Sequence, residues 1–389
     1  MIVVAVCHLI LINMSEFPEF KFEIKRRQTT TCTVGSVKIG SDHPIAVQSM
    51  TTSLTTDVKE TLYQIDACHE LGADLMRVSV PNEESAIAIK EICQKSPVPI
   101  IADLHFNTYR DAIYRKTIEG GVGCIRINPG TLTPRGVDFD SGKKNNTIKN
   151  IVEVLKDYNC AVRIGVNTGS LDEKILQKYG SPTPEALVES AMESVKYFED
   201  NDFFNFKIAV KASDPLLMIK SYELLASKVK YPLHLGVTEA GPMMLGTVKS
   251  SIGIGNLLLQ GIGDTIRISL SDKPEEEIKV CWALLKSLQI RSRGVNIISC
   301  PSCARQQFNV IDIVKKIEQN TAHIKKNMSI SILGCVVNGL GEATHTDIGV
   351  TGAVSGHHII YKHGKPFGKC SSEDLVSYVT NLAKEISGE

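Results

Sequence analysis

The sequence predicts an α/β chain: a (β/α)8, TIM-type barrel over residues 21–290, followed by a smaller α/β domain over 291–389. Three observations carry this reading. Short apolar runs alternate eight times with longer amphipathic ones between Lys21 and Leu288, the pattern of parallel strands buried beneath helices. Polar residues recur at alternate positions near the ends of those runs, so each strand carries one polar face. Beyond the short polar connection Ser287–Arg293 the pattern changes, and cysteines appear at close spacing.

The barrel strands are expected at Ile45–Met50, Leu75–Val80, Pro99–Phe106, Cys124–Asn128, Ala161–Asn167, Phe206–Ala212, Leu233–Glu239 and Thr265–Leu270. Among the helices, Val58–Gly72 places Leu62, Ile65 and Leu71 on one face behind Asp57 as N-cap, and Pro184–Phe198 does so with Leu187, Val188, Ala191 and Val195. An open doubly wound sheet is the alternative topology. In the second domain Ile297–Ser299 and Met328–Leu333 read as strands and Phe308–Glu318 as a helix. Asp347–Val350 and His358–Lys362 read as further strands, Lys362–Pro366 as a hairpin turn, and Ser372 as the cap of a last helix ending at Ile386. His357, His358 and His363 read as surface histidines.

Composition narrows the function classes. The 43 basic and 43 acidic side chains cancel, so charge gives no reason to expect nucleic acid or an anionic membrane as partner. Eleven cysteines, an odd number scattered through apolar runs, do not form a secreted disulfide framework and point to the cytoplasm. Cys68, Cys93, Cys124, Cys160 and Cys281 read as small core residues. Met1–Asn13 is apolar but too short to span a bilayer, with no basic flank or cleavage site. The expectation is an upstream start with Met14 as the true first residue, so residues 1–20 are set apart from the fold.

Two constellations carry chemistry. Cys300 and Cys303 lie three positions apart in Ser299-Cys300-Pro301-Ser302-Cys303, and Cys335 opens Gly334-Cys335-Val336-Val337-Asn338-Gly339-Leu340-Gly341-Glu342. Three soft thiolates and a carboxylate make a four-ligand set. Zinc closed by His345 and a 4Fe–4S cluster with Glu342 on one iron both fit that spacing.

The second constellation lies on the barrel strands. Arg77 with Ser79, Asp103 with His105, Arg126 with Asn128, and Arg267 with Ser269 sit at alternate positions, while Arg163 with Asn167 and Lys207 with Lys211 keep the same parity. Arg77, Arg126, Arg163, Lys211 and Arg267 thus arise on five strands near the barrel's C-terminal face, where barrels bind ligands. Buried cations need anions, and guanidinium groups match phosphate oxygens bidentately, so a diphosphate is the natural ligand. Glu239, beside Thr238, is the best-placed acid on that face. Gly253-Ile254-Gly255 and Gly261-Ile262-Gly263 lie where barrels hold phosphate, and close helix packing explains them equally well. Ser271–Glu277 reads as an N-cap with an acidic first turn and receives no function. A lyase using Lys211 as a Schiff base above a structural zinc, and a non-catalytic electron carrier, are the rival classes.

With both constellations in view, ordered motifs emerge: Val47-Gln48-Ser49-Met50-Thr51, Met76-Arg77-Val78-Ser79-Val80-Pro81, Ala102-Asp103-Leu104-His105-Phe106, Ile125-Arg126-Ile127-Asn128-Pro129-Gly130, Val162-Arg163-Ile164-Gly165-Val166-Asn167, Val210-Lys211-Ala212-Ser213, Thr238-Glu239-Ala240-Gly241 and Arg267-Ile268-Ser269-Leu270, with the two cysteine segments. In these the chain resembles the 4-hydroxy-3-methylbut-2-enyl diphosphate synthase family, in its short two-domain bacterial form without the extra domain of plant-type members. The resemblance implies reductive ring opening and dehydroxylation of 2-C-methyl-D-erythritol 2,4-cyclodiphosphate in isoprenoid precursor synthesis. It implies a 4Fe–4S cluster on Cys300, Cys303, Cys335 and Glu342, and substrate binding by Arg77, Arg126, Arg163, Asn167, Lys211, Thr238, Arg267 and Ser269. Asp103, His105 and Glu239 fall around the reacting part of the substrate, with Glu239 as proton donor and His105 as the alternative. Flavodoxin or ferredoxin is the implied electron donor. A head-to-tail homodimer, one subunit's cluster domain over the other's barrel, is the implied assembly.

Overall fold

A computed structural model describes residues 23–104, 113–128, 141–354 and 356–389. The apolar start and His105 lie outside the described residues.

A hairpin of β1 (Cys32–Val34) and β2 (Val37–Ile39) precedes the barrel. Strands β3 (Ala46–Met50), β4 (Leu75–Val80), β5 (Ile100–Leu104), β6 (Cys124–Ile127), β7 (Ala161–Asn167), β8 (Phe206–Lys211), β9 (His234–Leu235) and β10 (Thr265–Ile266) form one eight-stranded sheet in the order β8-β7-β6-β5-β4-β3-β10-β9. Its ends meet through the parallel bridge Ile208↔Leu233, so the sheet closes rather than lying open. Around it run α1 (Val58–Glu70), α2 (Glu83–Lys95), α3 (Ile113–Glu119), α4 (Ser141–Asp157), α5 (Glu173–Tyr179), α6 (Pro184–Glu199), α7 (Pro215–Lys228), α8 (Met243–Leu259) and α9 (Pro274–Ser287).

Strand alternation explains the layers. Outward residues such as Met76, Val78, Ile125, Val162, Ile164, Ile208 and Val210 join the core shared with the helices. Inward residues at the strand starts, Ala46, Leu75, Ile101, Cys124 and Ala161, pack against Cys32, Val34 and Ile39 of the hairpin. That hairpin therefore plugs the barrel floor. Its signal was in the sequence as alternation across a Gly35-Ser36 turn, and the reading given above missed it.

One expected cap held, where a short side chain met free amides. Asp57 accepts from Glu60 N–H at the start of α1, and Pro184 takes the first turn of α6 behind Thr183. Strands β9 and β10 are shorter than the expected Leu233–Glu239 and Thr265–Leu270. The reason is competition for backbone partners: Val210 N–H donates to Tyr222 Oη, which donates on to His234 O and so interrupts direct pairing of β8 with β9, while beyond β10 Leu270 N–H turns to the Glu277 carboxylate. At α9 the expected side-chain cap is absent; Lys273 holds that position with no cap bond, and Pro274 opens the helix. Gly253 and Gly255 fall inside α8, where a Cβ at Gly253 would lie 2.9 Å from Val237 Cγ2, so helix packing accounts for them.

The second sheet holds β11 (Val295–Ser299), β12 (Met328–Leu333), β13 (Ile348–Thr351), β14 (His357–Lys362) and β15 (Lys365–Ser371) in that order, the first three parallel and the last two antiparallel. Helices α10 (Val310–Thr321) and α12 (Leu375–Ser387) share its main core. The glycine-rich segment after Cys335 forms helix α11 (Val336–Ala343), which packs so closely on β13 that a Cβ at Gly349 would meet Ala343 Cα at 2.8 Å. Ser372 does not cap α12; Asp374 stands at that position, and Ser372 Oγ instead pairs with His358 Nε2 at 2.7 Å. His358 is correspondingly buried beside the Phe308 ring, whereas His357 and His363 are exposed as expected.

The two sheets are joined at the barrel floor. Arg291 donates to Ile45 O and Asp74 Oδ2, and Arg293 donates to Glu70 O. Lys325 meets the Glu70 carboxylate, while Lys286 reaches Val295 O. Strands β11 and β12 start at this contact and run away from the barrel, so Cys300 and Cys335 follow their far ends.

Candidate active site

Register sets the interior. Asp103 pairs with Arg126, Arg126 with Arg163 and Arg163 with Lys207 across β5, β6, β7 and β8, which makes one inward row. One step nearer the mouth, Asn167 pairs with Lys211. From the other side, Arg77 pairs with Met50, and Arg267 follows β10. All five cations expected at the mouth are brought together: Arg77, Arg126, Arg163 and Lys211 are 9%, 8%, 2% and 6% exposed. Lys207 is also fully buried, a cation that strand parity displayed but to which no role was given.

Electrostatics confirm the crowding. Burial, then the Arg126 guanidinium, pull Arg163 down to about 10. Burial holds Lys211 well below its ordinary range, with Arg163, Arg267 and Arg77 adding repulsion. Arg77 is lowered well below its ordinary value by burial, against the opposing pull of Asp103. Two carboxylates oppose these charges among the described residues. Asp103 accepts from Arg126 Nη1 at 3.2 Å and stands 3.8 Å from Arg77 Nε. Glu277 accepts from Arg267 Nε and Nη2 at 3.3 and 3.4 Å, from Ser49 Oγ at 2.6 Å, and from Leu270 N–H at 3.1 Å.

Much donor capacity remains open. Buried Arg163 Nε and Nη1, Arg126 Nε and Lys207 Nζ have no hydrogen-bond partner among the described residues. Arg77 Nε and Nη2 lie 3.0 and 2.8 Å from Met50 Sδ, a neutral and weak acceptor, which Arg267 Nη1 also approaches at 3.8 Å. Small residues make room for these side chains. A Cβ at Gly165 would fall 2.8 Å from Arg126 Nε, and one at Gly236 would overlap Lys211 Nζ.

Around the mouth, Asn128 Nδ2 donates to Ser170 Oγ at 2.7 Å, and Asn167, Thr238 and Ser269 are partly exposed. Glu239 is not the end of a strand. It lies beyond β9, exposed, with φ of 50°, a left-handed conformation that a glutamate adopts only under local constraint.

The cysteines lie at the other end of the molecule. Cys300 follows β11 and Cys335 follows the adjacent parallel β12, so the sheet sets both at one edge; Gly334 N–H donates to Cys300 Sγ at 3.3 Å. Cys335 is the N-cap residue of α11, in the field of that helix's free amides, and Cys303 is exposed. Backbone and side-chain hydrogen bonds from Arg305 lower the Cys303 thiol below its ordinary range. Glu342 is exposed near the end of α11. Among the described residues no three His, Cys, Asp or Glu side chains converge closely enough to hold a single metal ion. The donor set nonetheless fits an iron–sulfur centre: two thiols at adjacent strand ends, a third exposed three residues beyond the first, amide N–H groups directed at sulfur, and an exposed carboxylate on the helix that Cys335 begins.

Sequence reasoning missed Glu277, Ser49 and Met50. For Glu277 a signal existed, since it falls on the same α9 face as the buried Ile278, Cys281 and Leu285.

A closed (β/α)8 barrel whose cationic interior is under-neutralised among the described residues, joined to a domain with a thiol-bearing edge, defines an α/β-barrel enzyme for an anionic ligand. The chain belongs to the GcpE family: the GcpE TIM-barrel domain matches residues 29–282 and the GcpE protein C-terminal domain residues 296–385. Similar curated proteins are named 4-hydroxy-3-methylbut-2-en-1-yl diphosphate synthase (flavodoxin). That of Jannaschia sp. (strain CCS1) is 51% identical, covering 93% of each chain. Those of Ruegeria sp. (strain TM1040) and Granulibacter bethesdensis are 49% and 50% identical, covering 92% and 93% of this chain and 91% and 90% of their own.

Proposed function

We propose that the chain opens 2-C-methyl-D-erythritol 2,4-cyclodiphosphate reductively and removes a hydroxyl, giving 4-hydroxy-3-methylbut-2-enyl diphosphate. As a member of its family it is an oxidoreductase of isoprenoid precursor synthesis. The observation that carries the reading is the barrel interior: Arg77, Arg126, Arg163, Lys207, Lys211 and Arg267 against Asp103 and Glu277, with guanidinium N–H groups left unpaired. Such a site is costly without a multiply charged anion to accept those donors.

In this reading Arg77, Arg126, Arg163, Lys211 and Arg267 hold the two phosphoryl groups, and Asp103 keeps Arg126 and Arg77 oriented toward them. Asn167, Thr238 and Ser269 bind the erythritol part. One C–O bond to the diphosphate and one C–OH bond break. The hydroxyl leaves as water, taking a proton from Glu239 or His105, and two electrons complete the alkene. Cys300, Cys303, Cys335 and Glu342 would hold a 4Fe–4S cluster, which supplies the electrons singly. Flavodoxin, as in the names of the relatives, is the proposed donor, and the cytoplasm the proposed location.

The floor attachment supports a homodimer. Within one chain the thiol edge points away from the floor while the cations open at the opposite face, so closure in cis would require the floor contact to be undone. A second copy placed head to tail meets both faces at once. Anaerobic purification and electron paramagnetic resonance of the reduced protein test the reading. A brown protein with about four irons, whose signal changes with the cyclodiphosphate, is expected; a colourless zinc protein overturns it.

A further inference from the structure

The geometry points to Glu277 as a positioning residue that fixes the Arg267 guanidinium for the diphosphate. The inference rests on the reading above. Glu277 is 3% exposed, and all four donors around it are specific: Arg267 Nε and Nη2 form a fork across its two oxygens, Ser49 Oγ fixes Oε2, and Leu270 N–H fixes Oε1. Three elements thereby clamp one carboxylate, namely β3 through Ser49, the segment after β10 through Leu270, and α9 itself. Arg267 keeps Nη1 free of that fork, and among the described residues Nη1 meets only the Met50 sulfur, at 3.8 Å. Its free edge is thus aimed into the interior beside Arg77.

Two effects of Glu277 oppose each other, and their balance decides the test. As a charge it repels a diphosphate, so removing it should tighten binding by simple Coulomb reasoning. As a clamp it removes the rotameric freedom of Arg267 before the ligand arrives, so removing it should weaken binding. A guanidinium held bidentately on one edge has that freedom removed almost entirely, and the clamp wins if Arg267 contacts the ligand.

The experiment measures steady-state kinetics of the holoenzyme with the cyclodiphosphate, and inhibition by inorganic pyrophosphate, for the wild type, Glu277→Gln, Arg267→Lys and the double variant. Glu277→Gln is expected to raise KM and the pyrophosphate inhibition constant about tenfold with kcat changed less than about threefold. In the Arg267→Lys background, which has no fork to hold, the same substitution is expected to add less than about twofold. Tighter binding in Glu277→Gln, or an equal effect in both backgrounds, overturns the inference. Should Glu277→Gln fail to fold, Ser49→Ala removes one fixing bond with the charge retained, and an unchanged KM there overturns the inference. A wild type that binds pyrophosphate but does not turn over the cyclodiphosphate refutes the proposed function instead, and the pyrophosphate arm still decides the role of Glu277.

Discussion

Lys211 gives the sharpest test of the cation nest at the level of single side chains. Its pKa is depressed from 10.5, first by burial and then by Arg163, Arg267 and Arg77. Between the depressed and ordinary values the unfolded chain binds more protons than the folded one, so this group's contribution to stability is lost as pH falls through the depressed value and is complete above the ordinary one. In the proposed function a diphosphate bound beside Lys211 would reverse the depression. Calorimetry in buffers of different ionisation enthalpy should therefore detect proton uptake on binding, and affinity should fall as pH rises; binding with no proton uptake would count against contact with Lys211. Glu239→Gln should lower kcat by about a hundredfold with KM within about twofold, as expected for a proton donor rather than a binding group. The cations were legible because strand parity repeats every second residue and an arginine at an inward position is conspicuous. Glu277 carried only a place on the buried face of α9, which an acid in a helix's first turn masks by its ordinary explanation in the helix dipole, and only the fold brings Arg267 to it.

At the level of elements, the strands most legible in sequence were those buried on both sides. Leu75–Val80, Ala161–Asn167 and Met328–Leu333 came out with the expected bounds. Strands β9 and β10 are shorter than their apolar pattern because the side chains of Tyr222 and Glu277 take backbone partners from the ladder, which no periodicity encodes. Helix α11 was hidden by its glycines, which suit a loop locally, although Gly339 gives close approach to Thr351. Gly236 tests how tightly backbone and site are fitted: its added methyl group meets Lys211 Nζ and, at 2.7 Å, Arg267 O. Gly236→Ala should destabilise the fold by about 1–3 kcal/mol in chemical denaturation and raise KM as well. A stable variant with normal KM would mean that Lys211 moves aside freely.

For the whole molecule, the sequence announced two chemistries without saying how they meet, because contacts at the floor depend on Arg291, Arg293 and Lys325 finding partners far away in the chain. The proposed head-to-tail arrangement is tested with mixed inactive subunits. Arg163→Ala and Cys335→Ser proteins, each inactive alone, should on mixing and re-pairing recover about a quarter of wild-type activity, since half of randomly paired dimers are mixed and each carries one intact site. No recovery would favour closure within one chain. Among the described residues no helix is long and apolar enough to cross a membrane.

The plugged floor has a consequence for turnover. With Cys32, Val34 and Ile39 packed under the strand starts, and Arg26 and Arg27 strapped across to Asp264, Val229 O and Tyr231 O, the described residues close the floor and leave the mouth as the doorway. If a neighbour's thiol edge shuts that doorway while electrons pass, product can exit only once the pair has parted again. The cycle would then breathe once per molecule made, and thickening the solvent with sucrose should slow kcat while leaving a single reduction event untouched.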